Sequence, residues 1–274
     1  MILNGQLPSN VRAVIFDISG TTLDYGSRGP VVAIVELFAR HGVAISEAEA
    51  RKPMGAHKKD HIWAMLQDPD VGARWAEANG ATAMRHDLDK LYGEFVPLQI
   101  EVLKRHCDVI PGVPEVVRQL RCRGIRIANT TGFETGMMGD LIRLAAEGGY
   151  VPDVWVCPDL VGKGRPAPWM AHFAAKELDL YPLSAFVKVG DTVADIEEAH
   201  NAGMWAVSVV KHGNEVGLSW EAARQMPAGE LENRISAARA RLAAKGPHCI
   251  IDTTADLIPV IDEISARIAR GERP

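Results

Sequence analysis

Four short runs along this 274-residue chain carry residue types that could do chemistry. Asp17-Ile18-Ser19-Gly20-Thr21-Thr22-Leu23-Asp24 comes first and Asn129-Thr130-Thr131-Gly132 second. Gly162-Lys163-Gly164-Arg165-Pro166 and Gly190-Asp191-Thr192-Val193-Ala194-Asp195 follow. An acid, a hydroxyl-bearing turn, a base and an acid pair together suit phosphoryl transfer. A carboxylate can attack phosphorus to form an acyl phosphate, which water then removes. Two anions do not approach each other unaided, so a hard cation is required, and carboxylates with phosphate oxygens suit Mg²⁺. Hydroxyls, backbone N–H groups and a cationic side chain can hold the other phosphoryl oxygens. Asp17 or Asp191 taken singly is as well explained as an acid capping a turn. The ordered set of four is what points to chemistry.

A fifth run is Arg51-Lys52-Pro53-Met54-Gly55-Ala56-His57-Lys58-Lys59-Asp60-His61-Ile62. On a helix, Met54, Lys58, His61 and Met65 fall at i, i+4, i+7 and i+11 and share one face. An amine among methionines and beside an imidazole would be partly desolvated. Its pKa would fall, and more of it would be the neutral amine that attacks carbonyls. Helical spacing alone favours an ordinary surface lysine on an amphipathic helix. His57 and His61 lack the pattern H-E-x-x-H, so zinc is not expected there.

These residues need a scaffold that brings distant segments to one rim. Short apolar runs recur at Ala13 to Phe16, Gly124 to Ala128, Val154 to Val156, Phe186 to Val189, Trp205 to Val210 and Cys249 to Ile251. Such β-branched runs, alternating with helical patterns at Val113 to Arg121, Pro166 to Leu178 and Val193 to Asn201, predict an α/β, doubly wound parallel sheet. Ligands in that fold bind outside the carboxyl ends of the strands, where four of the runs begin. About a hundred residues separate the first strand from Ile125, far more than one crossover needs. Within them Pro30 to Ala39, Ser46 to Lys52, Met54 to Leu66 and Asp87 to Lys104 read as helices. Residues 26–104 are therefore expected to form an inserted all-helical domain, with 1–25 and 105–274 as the catalytic core.

Composition narrows the classes further. Apolar residues make up 47% of the chain and the formal net charge is -5, without a basic stripe, which argues against a nucleic-acid partner. The start, Met1 to Pro8, shows no leader pattern, and no apolar run is long enough to span a bilayer. A cytoplasmic protein without a membrane partner is expected. The 4 cysteines are far apart and are expected to be reduced and inert.

The four strand-end runs, opening on D-x-x-x-T, resemble the haloacid dehalogenase superfamily. Phosphatases of that superfamily carry a second Asp two residues after the nucleophile to protonate a departing alcohol, and Ser19 stands there instead. The runs Asp17 to Pro30, Glu49 to Ile62, Thr130-Thr131-Gly132, Gly164 to Met170, Val189 to Trp205 and Glu215 to Leu218 are similar to its phosphonoacetaldehyde hydrolase, or phosphonatase, branch. Met54-Gly55-x-x-Lys58 is the most specific part. The resemblance implies cleavage of the C–P bond of phosphonoacetaldehyde to acetaldehyde and phosphate, through a Lys58 Schiff base and an Asp17 aspartyl phosphate. It implies Mg²⁺ held by Asp17, the Ser19 carbonyl and Asp191, with Asp195 supporting that shell. Thr131, Gly132 and Arg165 would bind the phosphoryl group, with Lys163 competing for the role of Arg165. Met54 and His61 would frame Lys58, and a homodimer through the helical cap would be the assembly. Ser19, Phe133 and Ser27 depart from the branch, which usually has Ala, often Tyr and sometimes Cys at those positions. A generic Mg²⁺-dependent phosphomonoesterase of the same superfamily is the alternative.

Overall fold

Ala13-Val14-Ile15-Phe16 is apolar at every position, and in the computed structural model it is a strand buried on both faces, β1 (Ala13–Phe16). The structure describes residues 9–274; the Met1 to Pro8 stretch read above for a leader lies outside them. With β2 (Arg126–Thr130), β3 (Val154–Val156), β4 (Phe186–Gly190), β5 (Trp205–Val209) and β6 (Cys249–Ile251), β1 builds a parallel sheet in the order β3-β2-β1-β4-β5-β6. The order reverses at β1, so the crevice for a ligand opens where β1, β2 and β4 end.

Between β1 and β2 the chain forms α1 (Arg28–Arg40), α2 (Glu47–Arg51), α3 (Lys58–Gln67), α4 (Pro69–Asn79) and α5 (Arg85–Leu103), then α6 (Val113–Cys122). After β2 come α7 (Gly139–Glu147), α8 (Trp169–Leu178), α9 (Val193–Ala202), α10 (Trp220–Gln225), α11 (Ala228–Ala243) and α12 (Leu257–Ala269). Alternate residues of each strand face opposite ways. Val14, Phe16, Val187 and Val189 pack toward α6 and α12, in a cluster continuous with the interior of α1 to α5. Ala13, Ile15, Ala128 and Phe186 pack toward α8, α9 and α11. None of the helices described is long and apolar enough to cross a membrane. All four cysteines are free.

The expected helix from Met54 to Leu66 is corrected by the structure. It begins at Lys58, with His57 as its cap, and residues 52–56 form turns. Pro53 and Gly55 explain the delay, because Gly55 sits at φ +90°, which ends any helical run. Capping explains α4, which was not anticipated: Asp68 accepts from the N–H groups of Asp70 and Val71, and Pro69 opens the helix.

The α1–α5 pair is the spine of the helical insert, and Phe95 is fully buried within it. Replacing Phe95 by Ala should cost about 3–5 kcal/mol of stability in urea unfolding. A loss below about 1 kcal/mol would mean that this packing does not hold the insert.

Candidate active site

Asp17 follows Phe16, which is level with Asn129 on β2 and Val189 on β4, so its carboxylate emerges between two strand ends. The loop behind it is pinned by Thr22, whose hydroxyl donates to the Asp17 carbonyl at 2.9 Å. Thr21 donates to Asp191 Oδ1 at 2.7 Å, and the Asn214 N–H donates to Asp191 Oδ2 at 2.7 Å. Carboxylate oxygens of Asp17, Asp191 and Asp195 lie within 4.8 Å of one another. Gly20 leaves room for this, since a Cβ there would fall 2.3 Å from Asp191 Oδ2.

Beneath the acids runs a buried ion network. Arg165 Nη2 donates to Asp17 Oδ1 and to the Thr130 carbonyl, both at 2.6 Å. Its Nη1 lies 2.9 Å from Asp195 and its Nε 3.2 Å from Glu198. Lys188 completes the cluster at 3.1 Å from Asp195 and 2.9 Å from Glu198. Four buried carboxylates thus face two buried cations. Burial, and then for Asp191 the neighbouring Asp17, pushes the Asp17 and Asp191 carboxyls above the usual range. For Asp195 burial acts upward too, but Arg165 and Lys188 outweigh it and hold the group low. The all-oxygen donor set and the two uncompensated charges fit a divalent cation between Asp17 and Asp191. Asp195 is nearby but committed, one oxygen to Arg165 and Lys188 and the other to the Thr192 hydroxyl at 2.6 Å.

Across the crevice sits Lys58. Its side chain is buried, with Nζ 3.7 Å from Met54 Sδ and 5.2 Å from the centre of the Phe133 ring. Met54 therefore reaches the amine from a turn and not from the same helix. Burial pulls the Lys58 pKa down to about 8, against the pull of Asp17. Its place at the first turn of α3, the positive end of the helix dipole, acts in the same direction as burial. One helical turn on, His61 Nε2 donates to the Ala50 carbonyl at 2.9 Å, leaving Nδ1 a buried lone pair without a partner. Burial, then the Lys58 charge, holds His61 far below its ordinary pKa and hence neutral.

Asp17, Ser19, Ser27, Met54, Lys58, Thr131, Gly132, Phe133 and Arg165 all line one cavity of about 20 Å³. Gly132 and Gly55 let its walls meet: a Cβ on Gly132 would fall 2.5 Å from the Ala56 carbonyl, and one on Gly55 2.3 Å from Thr192 Oγ1. Thr131 Oγ1 accepts from the Phe133 N–H at 3.1 Å, which fixes that turn. Lys163 is exposed and does not line the cavity, whereas Arg165 does.

Of the residues singled out from the sequence, Asp17, Ser19, Met54, Lys58, Thr131, Gly132 and Arg165 line this cavity, Asp191 and Asp195 group with Asp17 behind it, His61 lies one turn beyond Lys58, and Lys163 stays outside. Lys188, Glu198 and Asn214 were missed. Lys188 had a signal, being a charge inside an otherwise apolar strand. Glu198 lies one turn after Asp195 on α9 and so shares its face. Asn214 carries no local signal, since only the fold brings it to Asp191.

A family model for haloacid dehalogenase-like hydrolases matches residues 11–203. The chain is 44% identical to a phosphonoacetaldehyde hydrolase of Nitratidesulfovibrio vulgaris, covering 96% of this chain and 94% of that one. It is 42% identical to a phosphonoacetaldehyde hydrolase of Bacillus thuringiensis, covering 93% and 96%. The crystal structure of a phosphonoacetaldehyde hydrolase-like protein from Oleispira antarctica superposes with a TM-score of 0.95 at 39% identity, over 99% of both chains. The chain belongs to the haloacid dehalogenase-like hydrolases, in the family of these phosphonoacetaldehyde hydrolases.

Substituting Lys188 by Met would strand Asp195 and Glu198 with Arg165 as their only cation. A stability loss of about 3–5 kcal/mol is expected in denaturant titration. A neutral or stabilising outcome would show that Lys188 is not what offsets the buried charges of Asp195 and Glu198.

Proposed function

We propose that this hydrolase cleaves the carbon–phosphorus bond of phosphonoacetaldehyde, giving acetaldehyde and phosphate. The observation that carries the reading is a buried amine, Lys58, lining the same narrow cavity as the Asp17 carboxylate, with no acid at Ser19. The names of the relatives support the substrate. A departing alcohol needs a proton donor; a departing carbanion needs somewhere to put its electrons, and an iminium supplies that.

In this reading neutral Lys58 adds to the aldehyde, and loss of water gives an iminium. Asp17 attacks phosphorus, the C–P bond breaks, and its electron pair passes into the iminium to leave an enamine. Protonation at carbon and hydrolysis of the resulting imine release acetaldehyde and restore Lys58. A second water cleaves the aspartyl phosphate and restores Asp17. Arg165 holds the attacking carboxylate and, with Thr131 and Gly132, binds phosphoryl oxygens. Mg²⁺, held by Asp17, the Ser19 carbonyl and Asp191, would offset repulsion between the anions, with Asp195 supporting the site. His61, one helical turn after Lys58 and with its Nδ1 unpaired, would relay a proton during the amine chemistry. Met54 and Phe133 exclude water from it.

A cavity of about 20 Å³ is too small for the substrate to enter as drawn. Residues 26–104 therefore act as a cap that opens to admit the substrate and closes to assemble the site. The same family reading makes the enzyme a cytoplasmic homodimer joined through that cap.

Phosphate release from phosphonoacetaldehyde, compared with a panel of phosphate monoesters, tests the proposal. Lys58→Arg should lower kcat/KM for the phosphonate by about 10³-fold or more, and Asp17→Asn should abolish turnover. Lys58 is inert while protonated, so kcat/KM should rise with pH through an ionisation at about 8 rather than at the 10.5 of a free lysine. Efficient monoester hydrolysis that survives Lys58→Arg would instead identify a generic phosphomonoesterase.

A further inference from the structure

Arg51 ends α2, and its guanidinium reaches away from the helical insert onto the core. Nη1 donates to the Gly26 carbonyl at 2.9 Å and to Asn214 Oδ1 at 3.0 Å, and Nη2 donates to the Gly217 carbonyl at 3.1 Å. Longer contacts of 3.4 Å reach the carbonyls of Ser27 and Asn214, and Asn214 Nδ2 donates back to the Arg51 carbonyl at 3.4 Å. The nearest carboxylate, on Glu47, stands off at 3.8 Å, so the side chain is devoted to neutral acceptors. Only 12% of it is exposed. The surroundings are shaped to it: Gly217 lies at φ +66°, and a Cβ there would fall 2.7 Å from Arg51 Nε.

Three segments meet on this one fork. Gly26 and Ser27 are the strand-to-helix connection into the insert. The turn from Arg51 to His57 leads directly to Lys58. The 213–217 loop presents the Asn214 N–H to Asp191 Oδ2 at 2.7 Å. Gly213 is pressed so closely on Asp191 that a Cβ would meet the Asp191 Cβ at 2.6 Å. Arg51 touches neither cavity nor acid rim, yet it is two hydrogen bonds from an Asp191 oxygen and seven residues from the amine.

We infer that Arg51 is a positioning residue that couples seating of the Lys58 segment to orientation of Asp191, so that the amine and the metal-binding carboxylate are assembled in one event. The inference rests on the roles given to Lys58 and Asp191 under the proposed function. A lysine could not replace the fork, because a point charge on a flexible stem cannot span the Gly26, Asn214 and Gly217 acceptors at once. Groups that orient a metal ligand from outside typically govern affinity or activity by about 10–100-fold.

The test is calorimetric Mg²⁺ titration of the full-length protein without substrate, comparing wild type, Arg51→Lys, Arg51→Ala and Asn214→Ala. Both Arg51 variants should bind Mg²⁺ about tenfold or more weakly, with faster amide hydrogen exchange in 213–217 and 52–58. Guanidinium chloride, and not sodium chloride at equal ionic strength, should restore affinity to Arg51→Ala. Asn214→Ala cuts the same link from the core side and should reproduce the weakening, which keeps the test open if the Arg51 variants fold poorly. Mg²⁺ affinity within twofold of wild type in Arg51→Lys, or in Asn214→Ala should the former not fold, would overturn the coupling. The proposed function fails separately, if wild-type protein binds Mg²⁺ but releases no phosphate from phosphonoacetaldehyde.

Discussion

Asp17, Asp191, Asp195 and Glu198 are buried together at the ends of the central strands, where among the described residues Arg165 and Lys188 are the cations paired with them. Isolated charges are very costly to bury, so each acid must be paired, protonated or offset by a further cation. The lower half of the cluster is paired: Asp195 and Glu198 each lie against both Arg165 and Lys188. The upper half is left short of positive charge, and there the carboxyl pKa values are pushed up. This asymmetry leaves an excess of negative charge at the strand ends that a divalent cation would offset. Arg165 joins the two halves, since its guanidinium grips Asp17 on one side and the structural acids on the other.

The helical insert imposes the opposite condition on a base. Lys58 opens α3, where a cation is disfavoured by the helix dipole, and it is walled in by Met54 and Phe133. The aromatic face returns some stabilisation to the ammonium, on the order of 0.5–1 kcal/mol at an exposed site and more when desolvated. Burial still wins, and the pKa settles at about 8. Relative to an unperturbed lysine at 10.5, this raises the neutral fraction near pH 7 by about 300-fold. An amine whose pKa is lowered within reach of an acid cluster needs both walls in place, which ties its reactivity to the contact between insert and core.

The parallel sheet was legible because its strands are short apolar runs buried on both faces, and Asp17, Thr131, Arg165 and Asp191 each follow such a run or its connection. Lys58 stood out through its neighbours, although the helical face used to group it with Met54 does not exist; Pro53 and Gly55 shape a turn that delivers the thioether instead. Helix α4 carried a readable start in Asp68-Pro69, where a side-chain cap and a missing N–H coincide. Arg51 and Asn214 could not be found this way. Their partners are backbone carbonyls and an acid far along the chain, brought together only by tertiary structure.

On the proposed mechanism, Lys58 becomes covalently joined to the substrate aldehyde while Asp17 attacks phosphorus. Incubation with phosphonoacetaldehyde and sodium borohydride, followed by peptide mapping in a mass spectrometer, measures this most directly. A reduced two-carbon adduct on Lys58 is expected, formed in step with loss of activity and absent from Lys58→Arg. Phosphate release that depends on Asp17 and Mg²⁺ but leaves Lys58 unmodified under borohydride would contradict it.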